Sequence, residues 1–388
     1  MMETIVLKQL KQVSVSSIVP FGRVTLSDLL ARAPGMGTAE QHLEEATRWL
    51  VRAHDATADC GVSYGYSLRG GWKASYPETS GYIAETFFQL AEHLGDTGLT
   101  LRAKQICYWL LEVQNSDGSF SNPALVGRQG IVFDTGQDLF GLLEAHQRTG
   151  NELFLRAACR AGNWLVAVAD SRGRWTRQTY CGIPHVYNSR TAWALLKLNA
   201  VVAESDYERV ARANLDFALE NQLPSGLFQQ CAFKTDAAPF THTIAYAIRG
   251  LLESSTLLND SQYLGAAKRA ADAVAGYLEP CGFLPGQIAP TGAAQRGYAC
   301  LTGNCQMAII WGKLAVMGVE HEEQRQLAVR AIRYVMTRQD LTTSDQNIRG
   351  GIKGSHPIWG RYSPFCYPNW ATKFFIDALL LLRGSIDE

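Results

Sequence analysis

The sequence predicts an all-α protein of the (α/α)6 toroid class, six helical hairpins arranged as an inner and an outer ring of helices. Three observations predict it. A unit of roughly 55 residues recurs six times, each copy carrying a tight Gly turn followed by an apolar or aromatic residue. The helices of each unit alternate between a half-polar and an almost wholly apolar type. The loops entering the apolar helices hold most of the Tyr, Trp, His and Asn of the chain.

The turns read Gly61-Val62-Ser63, Asp117-Gly118-Ser119-Phe120, Gly173-Arg174-Trp175, Gly226-Leu227-Phe228, Gly282-Phe283-Leu284 and Gly350-Gly351-Ile352. Residues 1–38 precede the repeats as an extension, where Val24 to Leu30 suggests a short helix and Pro34-Gly35 a break; residues 39–388 form the toroid. The first outer helix is expected over about Thr38 to His54, with Leu43, Ala46, Trp49, Leu50 and Ala53 on one face and Glu44, Glu45, Arg48 and Arg52 on the other. Later outer helices fall near 97–115, 151–169, 205–222, 260–279 and 320–338, all with charged faces. The alternate helices, near 79–94, 134–149, 188–203, 241–257, 302–317 and 369–383, are apolar nearly all round, as in Tyr82-Ile83-Ala84 and Ala192-Trp193-Ala194-Leu195-Leu196. A helix apolar on every side has to be covered on every side, so these form the inner ring.

Composition excludes several classes. The chain is 47% hydrophobic and 19% charged with a formal net charge of zero, which suits a large buried core and gives no electrostatic reason for binding nucleic acid. No run of about 18 apolar residues occurs, so no membrane span is expected. The stretch Met1 to Val19 never reaches the unbroken apolar segment of a secretory signal, so a cytoplasmic location is expected. Nine cysteines, an odd number spread along the chain, read as reduced thiols, and Cys300-x4-Cys305 has no His at ligand spacing, so neither metal nor cofactor is expected.

The string Gln114-Asn115-Ser116-Asp117-Gly118-Ser119-Phe120, with its outline at Gln222 to Phe228, resembles the Gln-x-x-Asp-Gly-x-aromatic repeat of terpene-cyclase and prenyltransferase toroids. From about residue 39 to 385 the chain also resembles the six-hairpin glycosidase superfamily, which includes unsaturated glucuronyl hydrolases, sugar 2-epimerases and the toroidal parts of uronate lyases. Within it, the nearest resemblance is to toroid proteins associated with bacterial polysaccharide biosynthesis. The Asp-x-Asp-Asp acid of class II terpene cyclases is missing from the sequence, which leaves terpenoid chemistry a distant alternative. Fold alone does not settle function.

Equivalent positions of a ring repeat face the same axial space, and two of the six inner-helix starts are acidic, Glu78 and Asp134. Neighbouring inner helices lie about 9 to 10 Å apart, which leaves room for a water between two carboxylates and points to inversion, or to hydration of an unsaturated sugar. Unsaturated glucuronyl hydrolases use acidic residues on inner helices in a comparable way, a resemblance of position only. A structural alternative stands beside this: Ser75-x-x-Glu78 and Asp134-x-x-Gln137 both fit a helix capping box, and Asn188, Thr241 or Thr243, Thr302 and Asn369 are good N-cap types. A capping carboxylate is held ionised and suits a base rather than an acid, so Asp138, one turn deeper, or Glu78 in an aromatic pocket, is the candidate acid.

A second constellation is His185, Tyr187, Asn188 and Arg190 with His242 at the next inner helix. Toroidal uronate lyases use Asn or Arg to neutralise the substrate carboxylate while His or Tyr takes the C5 proton, and all these residue types are present. Sugars offer apolar faces and many hydroxyls, so the aromatics and donors of the loops form the candidate substrate-binding set: Tyr66, Trp72, Tyr76, Trp175, Gln287, Tyr298, Asn304, Lys353, Trp359, Tyr362, Asn369 and Trp370. Asp377 and Lys373, one turn apart, are expected to pair. The expected partner is therefore an oligosaccharide or polysaccharide containing uronate. Three activities stay open: a two-carboxylate glycoside hydrolase or hydratase, a uronate lyase or C5-epimerase, and a carbohydrate-binding scaffold without turnover.

Overall fold

The computed structural model describes residues 18–30, 37–122 and 129–386. The expected break at Pro34-Gly35, and the Met1 to Val19 stretch up to Ser17, lie outside the described residues. Within them the chain forms thirteen α-helices, and twelve of these make the two rings. Helix α1 (Ile18–Leu29) begins earlier than Val24 and precedes the ring. The outer helices are α2 (Ala39–Asp55), α4 (Thr97–Val113), α6 (Glu152–Ala167), α8 (Ser205–Glu220), α10 (Ser261–Ala275) and α12 (His321–Met336). The inner helices are α3 (Pro77–Leu94), α5 (Val132–Thr149), α7 (Ser189–Val202), α9 (Thr241–Leu258), α11 (Leu301–Val316) and α13 (Asn369–Leu382). Each inner helix packs on the next, and α13 returns to α3, which closes the ring.

The periodicities find their physical counterpart here. In α2, Leu43, Ala46, Trp49, Leu50 and Ala53 are buried while Glu44 and Arg48 pair on the solvent face. In α11 fourteen of the sixteen residues are buried, as an inner-ring position requires. The inner helices approach closely because glycine lines their contacts: a Cβ on Gly141 would stand 2.3 Å from the Gly81 carbonyl oxygen, and one on Gly81 would stand 2.5 Å from the Asp138 Cα.

The repeated glutamine has a structural task. Gln114 Nε2 donates to the Gly118 carbonyl of its own turn and to the Ala157 carbonyl of the following outer helix, both at 2.9 Å. Gln222 repeats this on Gly226 and Ala266, and Gln339 on Gly350 and His42. Gly118 adopts φ 96°, and a side chain there would strike the Arg160 carbonyl, so the turn needs both the freedom and the small size of glycine. The repeated glutamine and Gly turn thus clamp neighbouring hairpins together.

The loops at the N-terminal end of the inner ring contain short paired strands. Strands β1 (Gly65–Ser67), β2 (Gly71–Trp72) and β6 (Cys366–Pro368) form one sheet in the order β2-β1-β6, and β3 (Pro285–Ile288), β4 (Ala294–Cys300) and β5 (Ser355–His356) form another. Loops of different repeats lie edge to edge here, and pairing satisfies backbone groups that burial would otherwise strand. The β1–β6 pairing, Tyr66 opposite Tyr367, joins the first loop to the last. Helix α1 braces that last loop: Phe21 stacks on Phe365 with centroids 4.8 Å apart, and buried Asp28 bonds Lys353 Nζ at 2.5 Å and the Ile358 amide at 2.7 Å. Among the described residues no helix is long and apolar enough to cross a membrane.

Candidate active site

A cavity of about 740 Å³ opens among these loops, over the N-termini of the inner helices. Glu78 and Asp134 both line it, and the capping reading of them does not hold. Helix α3 starts at Pro77 behind the N-cap residue Tyr76, and α5 starts at Val132 behind Ile131; neither helix has a side-chain cap. Pro77 lacks an amide hydrogen and carries the φ a first turn needs, so Glu78 falls in the first turn and stays available to the cavity. Ser75 Oγ bonds Asp59 instead of capping, and Gln137 bonds the Phe133 carbonyl. None of the other proposed caps makes a side-chain capping bond either. Asn188 occupies the N-cap position of α7 without a capping bond, Thr241 donates to the Pro285 carbonyl, and Asn369 bonds the Ser63 carbonyl and Thr79.

The two carboxylates meet at one phenol. Tyr76 Oη lies 2.5 Å from Glu78 Oε2 and 3.3 Å from Asp134 Oδ2, and Asn122 Nδ2 donates to it at 3.0 Å. The nearest oxygens of the pair are therefore no further apart than the sum of the first two distances, a closer approach than the helix axes suggest. Burial pushes the Glu78 carboxyl up to about 7, against the Tyr76 hydrogen bond and the Arg190 charge, which favour its ionised form. Burial also lifts Asp134 well above the usual carboxylate range, and the Glu78 charge adds to it. Burial among the Tyr76, Phe133 and Tyr246 rings opposes the helix N-termini, which favour the ionised forms, and raises both carboxyls.

Aromatic rings make most of the wall: Tyr64, Tyr180, Tyr187, Phe233, Phe240, Tyr246, Tyr362 and Trp370. Tyr362 accepts from Trp370 Nε1 at 2.7 Å and packs against Phe240 and His242. Two exposed cations complete the rim, Lys73, whose ammonium sits 4.5 Å over the Tyr64 ring, and Arg361. Among the described residues neither pairs with a carboxylate. The His242 Nδ1 is held by Gln306 at 2.9 Å, and burial drops its pKa to about 3, so its ring is neutral at physiological pH.

Of the residues singled out in the sequence, Glu78, Asp134, Tyr76, Tyr187, His242, Tyr362 and Trp370 line the cavity. The others lie behind it. Asp138 is wholly buried one turn deeper, with both carboxyl oxygens unpartnered among the described residues, and burial lifts its pKa well above the carboxylate range. His185 stacks on Tyr187 at 4.5 Å, and both of its ring nitrogens face backbone carbonyls, which makes it a support for that wall. Arg190 is buried beneath the acid pair, bonded to Gln137 at 2.6 Å, with its guanidinium carbon 4.9 to 5.8 Å from five ring centroids. Deeper charges pair among themselves, Lys197 with Glu85, Arg249 and Lys313 with Glu253, and Lys373 with Asp377 as expected.

Several binding candidates serve packing instead. Trp175 is fully buried and donates to the Leu165 carbonyl, and Asn304 bonds the Gly282 carbonyl. Tyr66 and Trp72 pack on each other, and Trp72 bonds Asn347. Gln287 links Tyr298 to the Ala238 carbonyl, Lys353 is consumed by Asp28, and Trp359 packs against the core. Asn188 and Asn369 are buried at their helix starts. Strand pairing and the α1 brace draw these side chains away from the axis, which composition alone does not reveal. Lys73, Asn122, Phe233 and Tyr246 escaped notice. Tyr246 carried a usable signal, since it lies one turn below His242 on an inner helix; Lys73 and Asn122 are single polar residues in loops and carried none.

An (α/α)6 ring with an acid pair at the base of an aromatic cavity defines a carbohydrate-active enzyme of the glycoside hydrolase type. Residues 47–276 match the model of the β-L-arabinofuranosidase GH127 catalytic domain, and the chain belongs to that family. Among solved structures it is similar to unsaturated glucuronyl hydrolase from Bacillus sp. GL1, at 16% identity and a TM-score of 0.73 over 90% of this chain and 98% of that one. A variant of the corresponding enzyme from Streptococcus agalactiae, complexed with dGlcA-GalNAc6S, has 11% identity and a TM-score of 0.67 over 89% and 92%. A glycosyl hydrolase family 88 protein from Bacteroides vulgatus has 11% identity and a TM-score of 0.65 over 89% and 99%. No curated protein matches. Among the described residues no group of three or more His, Cys, Asp or Glu is placed to hold one metal ion.

Proposed function

We propose that this protein hydrolyses a uronate-containing oligosaccharide at its chain end, with Glu78 and Asp134 as the reacting pair. The observation that carries the reading is the sharing of one buried phenol by both carboxylates at the base of the cavity. Two acids that share one largely buried site cannot both ionise easily, so one keeps its proton and donates while the other accepts. Below them Tyr82, Arg190 and Phe374 fill the ring, and a cavity closed at its floor takes a chain end rather than an internal segment. Lys73 and Arg361 at the rim suit an anionic sugar, and the aromatic wall suits its apolar faces. The names of the similar solved structures support an unsaturated glucuronide, opened by hydration, as the first substrate to offer.

The lyase or epimerase reading has less support from the site. A His242 with a pKa of about 3 is a poor proton acceptor, burial holds the Tyr187 phenol protonated, and His185 faces carbonyls. The test is turnover of unsaturated glucuronyl disaccharides, saturated uronides and β-L-arabinofuranosides, followed by product analysis in deuterium oxide. Glu78→Gln and Asp134→Asn should each lower turnover by about 10²- to 10⁴-fold with binding retained. Full turnover in either variant, or deuterium entering C5 of a saturated uronide, overturns the reading.

A further inference from the structure

We infer that Tyr76, steadied by Asn122, is the positioning residue that assigns the two roles, committing Glu78 to base and Asp134 to acid. The inference rests on the two-carboxylate reading above. It follows from counting hydrogens around one oxygen. A phenol owns one hydrogen and can accept two more. Three groups surround Tyr76 Oη: Glu78 Oε2 at 2.5 Å, Asn122 Nδ2 at 3.0 Å and Asp134 Oδ2 at 3.3 Å. The Asn122 amide nitrogen can only donate, so it takes one acceptor site. The phenolic hydrogen goes to the shortest contact, the Glu78 oxygen, where a short charge-assisted bond favours the carboxylate form. The contact to Asp134 then needs a hydrogen that the phenol no longer has, and a protonated Asp134 supplies it. Reversing the roles would move the phenolic hydrogen to the longer contact and leave the shorter one to a neutral acid.

The division has a defined chemical consequence. Asp134 gives its proton to the departing glycosidic oxygen as the bond to carbon breaks, and Glu78 takes a proton from the attacking water as the new bond to oxygen forms. For a 4,5-unsaturated uronide, Asp134 protonates the alkene carbon while water, deprotonated by Glu78, adds to its neighbour. Proton exchange with solvent through the cavity mouth then restores the starting state. Burial raises both carboxyls, and the Glu78 charge raises Asp134 in addition, which agrees with this division.

The test is the pH dependence of kcat/KM for Tyr76→Phe, with whichever substrate the parent enzyme turns over. Removing the phenolic hydrogen withdraws support from the Glu78 carboxylate, so the acid limb of the profile should move up by about one to two pH units. Activity then falls tenfold or more below neutral pH and much less above pH 8. Asn122→Ala loosens the same phenol without touching either carboxyl, and should move the limb the same way by a smaller amount. Circular dichroism and the unfolding midpoint verify that both variants fold. A loss uniform across pH, or a limb that stays or moves down in both variants, overturns the inference. If Glu78→Gln turns over as fast as the parent, the two-carboxylate reading itself fails, a result distinct from either.

Discussion

Replacing Asp28 by Ala should destabilise the protein by about 3 to 5 kcal/mol, the cost of breaking a buried ion pair from one side. The magnitude can be worked from two directions. Burial by itself would raise the Asp28 pKa, but Lys353 and His356 override it and hold the carboxyl at about 2, against an ordinary value of 3.8. At about 1.36 kcal/mol per pH unit, the ionised form gains roughly 2 to 2.5 kcal/mol on folding. Because the pKa is depressed, that gain is present above about pH 3.8 and is lost as pH falls through about 2. The second direction counts what the variant strands: the Lys353 ammonium, buried, and the Ile358 amide, whose acceptor is Asp28 at 2.7 Å. An orphaned buried amide costs about 1 to 3 kcal/mol on its own.

The pair is nevertheless worth less than the Asp28 side suggests. Burial lowers the Lys353 pKa more than Asp28 raises it, so the ammonium is held at a cost. A double variant, Asp28→Ala with Lys353→Met, removes both charges and should regain most of the loss, ending within about 1 to 2 kcal/mol of the parent. Urea unfolding at pH 7 measures all three proteins. A single-variant loss under about 1 kcal/mol, or a double variant no better than the single, would refute the reasoning. Helix α1 would then be an ornament on the ring rather than the brace of the loop that carries Arg361 and Tyr362.

Three further outcomes are expected. Lys73→Ala and Arg361→Ala should each raise KM for a uronide by about tenfold with little change in kcat, and leave a neutral glycoside unaffected; equal effects on both substrates would remove the cations from carboxylate recognition. Gly141→Ala should destabilise by about 1 to 3 kcal/mol in denaturant titrations, because its Cβ would meet the Gly81 carbonyl oxygen at 2.3 Å and push α3 from α5. Glu78→Gln should stabilise the protein at pH 8 and much less at pH 5. The pKa of Glu78 is raised by burial to about 7, so the folded state binds the extra proton between about 4.5 and 7, and stability falls as pH climbs through that window. Melting temperatures of both proteins across pH 5 to 8 would show it, and a constant difference would count against the raised pKa.

Much of the architecture is local in origin, which is why the sequence carried it. The period of apolar residues in α2 or α11 follows from 3.6 residues per turn, and the Gly turns at Gly118 and Gly350 follow from the backbone a tight turn requires. The placement of Glu78 and Asp134 on neighbouring inner helices is likewise a matter of counting one repeat. Other features depend on which loops meet. Lys353 looked like a sugar contact until α1 supplied Asp28, and Trp72 until Asn347 and Trp49 covered it. Tyr76 was visible as an aromatic beside Glu78, but its reach to Asp134 and Asn122 spans two repeats. Arg190, expected to face a substrate carboxylate, lies in a cage of rings contributed by five inner-helix side chains. The sequence by itself determined the ring, its two kinds of helix and the end at which the cavity opens, because these rest on periodicity and turn geometry. Only the tertiary structure decided which side chains enter the cavity and how close its two carboxylates come, because both depend on distances between residues far apart in the chain.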